Sequence, residues 1–107
     1  MKRGDLYRVR KPGGDTRPAR VFVIVSRPAL IRSRLSTVVC APVHSQRHGL
    51  ATEVPVGPGD GLTRESSVLC DALVSLPKAM LTDFIGELSP RSLADLDDAL
   101  RVALGIE

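Results

Sequence analysis

A mainly β fold with α elements, in which a small curled antiparallel sheet is closed by a C-terminal helix, is the fold class that this sequence predicts. The segment Val21–Val25 is a run of five apolar residues, four of them β-branched, and turn residues lie on both sides of it. Such a run is typical of a strand buried on both faces. Other short apolar segments follow it, and sustained helical spacing occurs only after Ser89. A chain of 107 residues is long enough for one core and too short for two, so we expect one domain over residues 1–107.

The elements predicted before residue 36 are two strands, a long loop and a short helix. Asp5–Arg10 alternates apolar and charged side chains imperfectly, as a half-exposed strand does. Lys11–Ala19 contains two prolines, two adjacent glycines and an aspartate, and nine residues is long for a hairpin connection, so we expect a functional loop. The buried strand starts at Arg20, and Pro28–Leu35 is predicted to form two helical turns with proline at the first position.

A second buried strand and a polar loop are predicted in the middle of the chain. The strand is Ser36–Val43, where Pro42 suggests a bulge or an edge position. The loop, His44–Gly49, holds both histidines of the protein. The shorter elements that follow are a strand at Ala51–Val56, a turn at Gly57–Gly61, one or two strands in Ser67–Leu76, at most one helical turn at Lys78–Leu81 and a strand at Phe84–Leu88.

The C-terminal helix has the clearest signals. Ser89 can cap its start, Pro90 lies in its first turn, and Gly105 can end it. Leucines recur at helical spacing, at Leu93, Leu96, Leu100 and Leu104. The helix therefore has an apolar face that is predicted to pack on the sheet.

The charge of the chain is unevenly distributed. The first 48 residues contain eleven Lys and Arg against two Asp, which gives +9, and the rest contains four basic and ten acidic residues, which gives −6. Several of the basic residues cluster between Arg8 and Arg20. A positive pole of this kind attracts polyanions, so it favours a nucleic-acid partner, although base stacking is limited because the chain has no Trp, one Tyr and two Phe.

The two cysteines and the N-terminal residues each give a separate expectation. Cys40 and Cys70 lie in apolar runs without a second Cys or a His at metal-ligand spacing, so both are expected to be small buried thiols. Strand-like residues follow Met1–Asp5 directly in place of an apolar signal segment, and no apolar run approaches the length of a membrane span. We therefore expect a cytoplasmic protein with no membrane partner.

Five segments in sequence order resemble the MazF/PemK family of toxin endoribonucleases. They are Lys2–Tyr7, the glycine-containing loop that leads to Arg20–Ser26, the strand Val38–Val43, the segment Gly61-Leu62 followed by Ser66, and Ile85–Ser89 leading into Leu93, Leu96, Ala99 and Leu100. Each segment alone is weakly specific, whereas five in the same order over nearly the whole chain are fairly specific.

The resemblance implies a homodimer with a CcdB-like, SH3-related barrel that cleaves single-stranded RNA at short sequences without a metal ion or other cofactor. Messenger RNA is the substrate class that it favours. Family members generally leave a cyclic phosphate and a free 5′-hydroxyl. The implied protein partner is a cognate acidic antitoxin with a disordered tail that blocks the RNA groove.

The family's catalytic residues fall on Arg20 and His44. The resemblance places the catalytic arginine on Arg20, at the start of the second strand, and the family's threonine after the third strand is replaced here by His44, with Ser45 next to it. An imidazole is better suited than a threonine hydroxyl to take a proton at neutral pH. We therefore expect Arg20 to stabilise phosphate charge, His44 to transfer a proton, and Ser45 to donate a hydrogen bond to a phosphate oxygen.

The remaining RNA-binding candidates are basic or polar residues near these two. Arg8, Arg10, Lys11 and Arg17 are expected to attract RNA by charge, while Asp15 and Thr16 are expected to contact base edges. The second proton-transfer group is left open between His48, Asp15 and Arg20 itself.

Two other functional classes share this predicted fold. CcdB-type gyrase poisons bind a protein and end in Trp-Gly-Ile, whereas this chain ends in Leu104-Gly105-Ile106-Glu107 and has no Trp. A non-catalytic SH3-like module that only binds nucleic acid or protein is the other alternative.

Overall fold

The computed structural model describes residues 1–10 and 19–107, and the predicted loop Lys11–Ala19 lies outside them except for Ala19. The strands are β1 (Asp5–Val9), β2 (Arg20–Ile24), β3 (Thr37–His44), β4 (Glu53–Val56), β5 (Ser66–Leu69), β6 (Val74–Pro77) and β7 (Asp83–Glu87). The helices are α1 (Pro28–Arg32) and α2 (Pro90–Leu104), and single 3₁₀ turns lie at Pro58–Asp60, Cys70–Ala72 and Lys78–Met80.

In the described part of the chain, the strands form one antiparallel sheet in the order β4-β5-β3-β2-β1-β7, and β6 also pairs with β3. The predicted fold class, a curled antiparallel sheet with a C-terminal helix, is confirmed. The segment predicted to hold one or two strands contains two, because the 3₁₀ turn at Cys70–Ala72 separates β5 from β6.

Strand β2 lies at the centre of the sheet and is buried on both faces, as predicted. Val23 belongs to one buried cluster, together with Leu6 and Leu96. Its neighbour Ile24 points to the opposite face and belongs to a second cluster, together with Val38. Val23 and Ile24 have no exposed surface. Because β2 is packed on both faces, the residues at its ends are held in fixed positions.

Helix α2 packs on the first of these clusters. The Ser89 side chain accepts a hydrogen bond from the Ser92 N–H, and Gly105 ends the helix in the left-handed conformation, as predicted. Leu96 and Ala99 are buried against the sheet. The expectation that Leu104 packs there is wrong, since its side chain is 57% exposed beyond the end of the sheet contact.

The interpretation of Pro42 as a bulge or edge residue is also wrong. Pro42 is buried in β3, an interior strand, and lies opposite Phe22 of β2. On its other side, β3 pairs with β6 through residues 37–40 and with β5 through residues 43–44. Pro42 lies in the gap between these two pairings, where a missing N–H leaves no ladder bond unmade.

Two predicted boundaries in this region are also corrected. Helix α1 ends at Arg32 and not at Leu35, because both the Ser33 N–H and its hydroxyl donate to the Leu30 carbonyl oxygen and the backbone then becomes extended. His44 is the last residue of β3 and not the first residue of a loop. It is therefore held by strand pairing.

The segment that precedes β5 is fastened to β7 and to the start of α2. The buried Asp60 carboxylate accepts hydrogen bonds from the Gly57 N–H at 3.1 Å and from the Ser89 N–H at 2.9 Å. Gly61, with a φ of +95°, lies against Gly86 so closely that a Cβ on Gly86 would be 2.5 Å from the Asp60 carbonyl oxygen. This close backbone contact fixes where the segment enters β5.

The cysteines agree with the sequence prediction. Cys40 and Cys70 are free thiols with at most 1% exposure. Burial raises the pKa of Cys40 to about 12 and the pKa of Cys70 to about 11.

Over residues 1–10 and 19–107, neither helix has the length and apolar character needed to cross a bilayer.

Candidate active site

The register of the central strands brings Arg20 and His44 together. Strands β2 and β3 pair antiparallel with Val21 opposite Val43, and the next residue outward is Arg20 on β2 and His44 on β3. Residues directly opposite each other in an antiparallel pair project to the same face of the sheet. His44 is also paired with Ser67 on its other side, in β5. Both Arg20 and His44 are exposed to solvent at the end of buried strands.

Arg20 and His44 line one open cleft of about 500 Å³. The β2–β3 wall of this cleft consists of Ala19, Arg20, Val21, Val43, His44 and Ser45, and the other wall consists of Leu62, Thr63, Arg64 and Ser66. Its size is within the range of roughly 300–1,000 Å³ that is typical of ligand sites. In the part of the chain that the structure describes, the residues that line it include two arginines and a histidine, and no Asp or Glu.

The chain that follows His44 is tied to the opposite wall by hydrogen bonds. The Ser67 hydroxyl donates to the Gln46 carbonyl oxygen at 2.7 Å. The Arg47 guanidinium donates to the carbonyl oxygens of Ser66 at 2.9 Å and Val56 at 3.0 Å. It also pairs with the Glu65 carboxylate at 2.6 Å. The two walls of the cleft are therefore connected directly.

A second set of contacts orders the loop beyond Arg47. The Glu53 carboxylate accepts hydrogen bonds from the backbone N–H groups of His48 and Leu50. The bond from the His48 N–H is the main reason why the pKa of Glu53 is lowered. The His48 side chain is exposed, and His48 is not among the residues that line the cleft.

Among the other predicted RNA-binding residues that the structure describes, Ser45 lies at this cleft, whereas Arg8, Arg10 and His48 do not. Arg8 and Arg10 line a separate cleft of about 280 Å³ with Asp83, and the Arg8 guanidinium lies 3.4 Å from the Asp83 carboxylate. Ser45 does line the main cleft. The remaining candidates, Lys11, Asp15, Thr16 and Arg17, lie outside the described residues.

Sequence reasoning overlooked Arg64. It lies on the wall opposite Arg20, in the segment between Gly61 and Ser66. Only the two ends of that segment resembled the family pattern, so the residues between them were not considered. Arg64 is one of four basic residues in the net-acidic part of the chain after His48, and its charge was the available signal.

The cleft combines a fixed positive charge with a group that can transfer protons. A guanidinium stays protonated and can donate two parallel hydrogen bonds to phosphate oxygens. An imidazole can accept and donate protons around neutral pH. Placed side by side on rigid strands, these groups are suited to phosphoryl-transfer chemistry.

A family comparison agrees with this fold and cleft. Residues 2–104 match the family described as PemK-like, MazF-like toxin of type II toxin–antitoxin system. The chain belongs to this family, as its sequence motifs predicted.

Curated relatives point to the same group. The chain is similar to endoribonuclease MazF3 of Mycobacterium tuberculosis, with 39% identity over 87 residues that cover 81% of this chain and 80% of the relative. It is also similar to endoribonuclease MazF1 of Mycobacterium bovis, with 34% identity over 104 residues that cover 97% and 92% of the two chains. These relatives confirm the predicted enzyme class, an endoribonuclease.

Solved structures confirm the predicted fold. A mycobacterial endoribonuclease in complex with its cognate antitoxin superposes with a TM-score of 0.85 at 33% identity, covering 100% of this chain and 97% of that chain. A MazE–MazF complex from Deinococcus radiodurans superposes with a TM-score of 0.79, covering 100% and 98% of the two chains. At 21% identity, this second likeness concerns the fold alone.

Proposed function

We propose that this chain is the toxin of a type II toxin–antitoxin pair and cleaves single-stranded RNA at specific short sequences without a metal ion. The observation that supports the proposal most strongly is the position of Arg20 and His44, which extend the neighbouring strands β2 and β3 by one residue beyond the pair Val21 and Val43 and line one cleft. The family of the chain gives this arrangement its chemical context.

In the proposed reaction the RNA supplies its own nucleophile. The 2′-oxygen attacks the adjacent phosphorus as its proton passes to the imidazole of His44. The bond from phosphorus to the 5′-oxygen then breaks, which leaves a 2′,3′-cyclic phosphate, and the leaving 5′-oxygen takes up a proton to become a hydroxyl. Arg20 stabilises the added negative charge on the phosphate by about 3 kcal/mol, and Ser45 donates a hydrogen bond to a phosphate oxygen.

The second proton comes from a group that we assign to Arg20, His48 or Asp15. Arg20 lines the cleft, which supports it over His48 among the described residues. Lys11, Arg17, Asp15 and Thr16 are proposed to contact RNA from the loop before β2. Arg8 and Arg10 are proposed to act on RNA through charge alone, from their position next to Asp83.

The proposed protein partners are a cognate acidic antitoxin and a second copy of the chain. The similar mycobacterial endoribonuclease was solved with its cognate antitoxin, and the two arginines of the cleft suit an acidic segment as well as RNA. Exposed apolar side chains at the end of α2, at Val102, Leu104 and Ile106, support a homodimer. A cytoplasmic location follows from the same proposal, since the substrate is cellular RNA.

The proposal is tested by incubating the purified protein with labelled RNA in EDTA. We expect cleavage to a cyclic phosphate, and Arg20→Ala should lower kcat on the order of a hundredfold or more, because it removes the charge that stabilises the transition state. His44→Ala should lower kcat as well and should remove the limb of the pH–rate profile near neutrality. Gel analysis of end groups and initial rates measures each effect.

Arg91→Ala is the matched control, since Arg91 is an exposed arginine of α2 that does not line the cleft. Its cleavage rate should equal that of the parent. If no RNA is cut, the ribonuclease proposal is wrong, and gyrase binding or a non-catalytic binding role replaces it. If His44→Ala cleaves like the parent, the role of His44 is wrong while the rest of the proposal stands.

A further inference from the structure

Arg64 enters the cleft from the wall that faces Arg20 and His44. It lies two residues before β5, and its side chain is exposed to solvent while it lines the cleft. Within residues 1–10 and 19–107, Arg64 forms no ion pair with a carboxylate. Arg47, which lies close in the structure, differs in this respect because its guanidinium is occupied by Glu65 and two carbonyl oxygens.

The backbone that carries Arg64 is held in place on both sides. On the C-terminal side, the Ser66 carbonyl oxygen and the Glu65 carboxylate accept hydrogen bonds from Arg47. On the N-terminal side, Gly61 lies against the backbone of Gly86. Arg64 is therefore presented to the cleft from a preorganised segment, which lowers the entropy cost of using it to bind a ligand.

The chemistry of the cleft selects an anion as the ligand of Arg64. Among residues 1–10 and 19–107, those that line it contribute two guanidinium groups and no carboxylate. A guanidinium donates pairs of hydrogen bonds that match the oxygens of a phosphate. Each guanidinium can hold the oxygens of one phosphate, so two arginines in one cleft can bind two phosphates of the same RNA strand.

The strand register indicates which arginine takes which phosphate. Arg20 and His44 each lie one residue beyond the paired Val21 and Val43 and line the same cleft, so we assign both to the scissile phosphate. Arg64 is three residues before Ser67, the β5 residue paired with His44. Three residues span at most about 10 Å. The backbone of Arg64 therefore lies within that distance of Ser67, the residue paired with His44.

We propose that Arg64 is a second phosphate-binding residue, which holds the phosphodiester next to the scissile one. This inference rests on the proposed ribonuclease function. It assigns to Arg64 a role in binding and registering the RNA strand, whereas Arg20 acts on the reacting phosphate.

The first test compares Arg64→Ala with Arg91→Ala, which removes the same charge from the exposed surface of α2. Arg64→Ala should raise KM about tenfold with little change in kcat, and should lower the slope of log KM against log salt by about 0.7, the value for one contact with single-stranded nucleic acid. Arg64→Lys should retain the salt slope of the parent and recover part of the affinity, because it keeps the charge and loses the paired hydrogen bonds. Unfolding temperatures check that all three variants fold.

The second test neutralises single phosphates of the RNA. Once the cleavage site of the parent is mapped, a methylphosphonate is placed at each linkage that flanks it. At one of these linkages, the parent should lose about as much affinity as Arg64→Ala loses on unmodified RNA, and Arg64→Ala should lose nothing further.

The outcomes separate this inference from the proposal on which it rests. A parent protein that cleaves no RNA overturns the ribonuclease function. If the parent cleaves but Arg64→Ala has the salt slope of Arg91→Ala, or its loss adds to that of every flanking methylphosphonate, the assignment of Arg64 is wrong and the proposed function stands.

Discussion

Arginines with the same chemistry occupy different positions in this molecule, and the position decides what each one does. Arg3 donates to the Val25 carbonyl oxygen and pairs with Asp97, so it joins α2 to the edge of the central strands. Arg47 ties the two walls of the cleft together through Ser66, Val56 and Glu65. Arg20 and Arg64 line the cleft. The proposed division between structural and RNA-binding arginines therefore follows from contacts, since composition cannot separate them.

The two cysteines give a prediction at the same scale. Burial raises the pKa of Cys40 to about 12 and that of Cys70 to about 11, from an ordinary value of 9.0, so both thiols stay protonated at pH 8. Because the thiolate is the reactive form, we expect both to resist a disulfide reagent at pH 8 in the native protein and to react quickly in urea. Absorbance after addition of the reagent measures this difference.

A variant with an exposed thiol, Ser75→Cys, is the control and should react quickly without urea. Rapid reaction of native Cys40 or Cys70 would contradict the prediction.

The raised pKa values also have a consequence for stability, because the unfolded thiols ionise first. Their contribution to the free energy of unfolding is complete below pH 9 and is lost as the pH rises through about 11 to 12.

At the scale of elements, the segment before β5 depends on two glycines that allow backbones to touch. Gly61 and Gly86 approach so closely that a Cβ on Gly86 would lie 2.5 Å from the Asp60 carbonyl oxygen and 2.9 Å from the Gly61 Cα. Both neighbours are backbone atoms, and Asp60 is itself bonded to Ser89 at the start of α2. The segment cannot move away without disturbing that helix start.

We therefore expect Gly86→Ala to lower the free energy of unfolding by roughly 1–3 kcal/mol, the usual cost of overpacking. Because the same segment carries Arg64, the variant should also weaken RNA binding. Urea denaturation measures the first effect, and titration with RNA measures the second.

Gly59→Ala serves as the control, since a Cβ there would meet no atom within 4 Å. Its free energy of unfolding should equal that of the parent to within about 0.5 kcal/mol. Equal stability of Gly86→Ala and Gly59→Ala would show that the contact between Gly61 and Gly86 is not tight.

At the scale of the whole molecule, the end of α2 and the residues just after it expose apolar side chains. Val102 and Leu104 are each 57% exposed and Ile106 is 59% exposed, all at the C-terminal end of α2. Exposed apolar side chains are favoured at association sites, and covering a large one stabilises a complex by about 1.5–3 kcal/mol. We propose that this end of α2 contributes to the interface of the homodimer.

Sedimentation of the parent should accordingly give twice the mass of one chain, and Ile106→Lys should shift the equilibrium towards monomer. Leu35→Lys is a suitable control, because Leu35 is similarly exposed, at 53%, but follows α1 instead of α2. A monomeric parent would contradict the dimer itself. A dimer that survives Ile106→Lys unchanged would place the interface elsewhere.

Local patterns in the sequence determined the strands, the caps of α2 and the buried state of β2, because these depend on neighbouring residues and on the period of apolar side chains. The family motifs likewise pointed to Arg20 and His44. Tertiary structure decided the rest. It placed Pro42 in a gap between two strand partners, left Leu104 exposed, set Arg8 beside Asp83 and brought Arg64 to the cleft. Each of these outcomes depends on contacts between residues far apart in the chain, which no local pattern encodes.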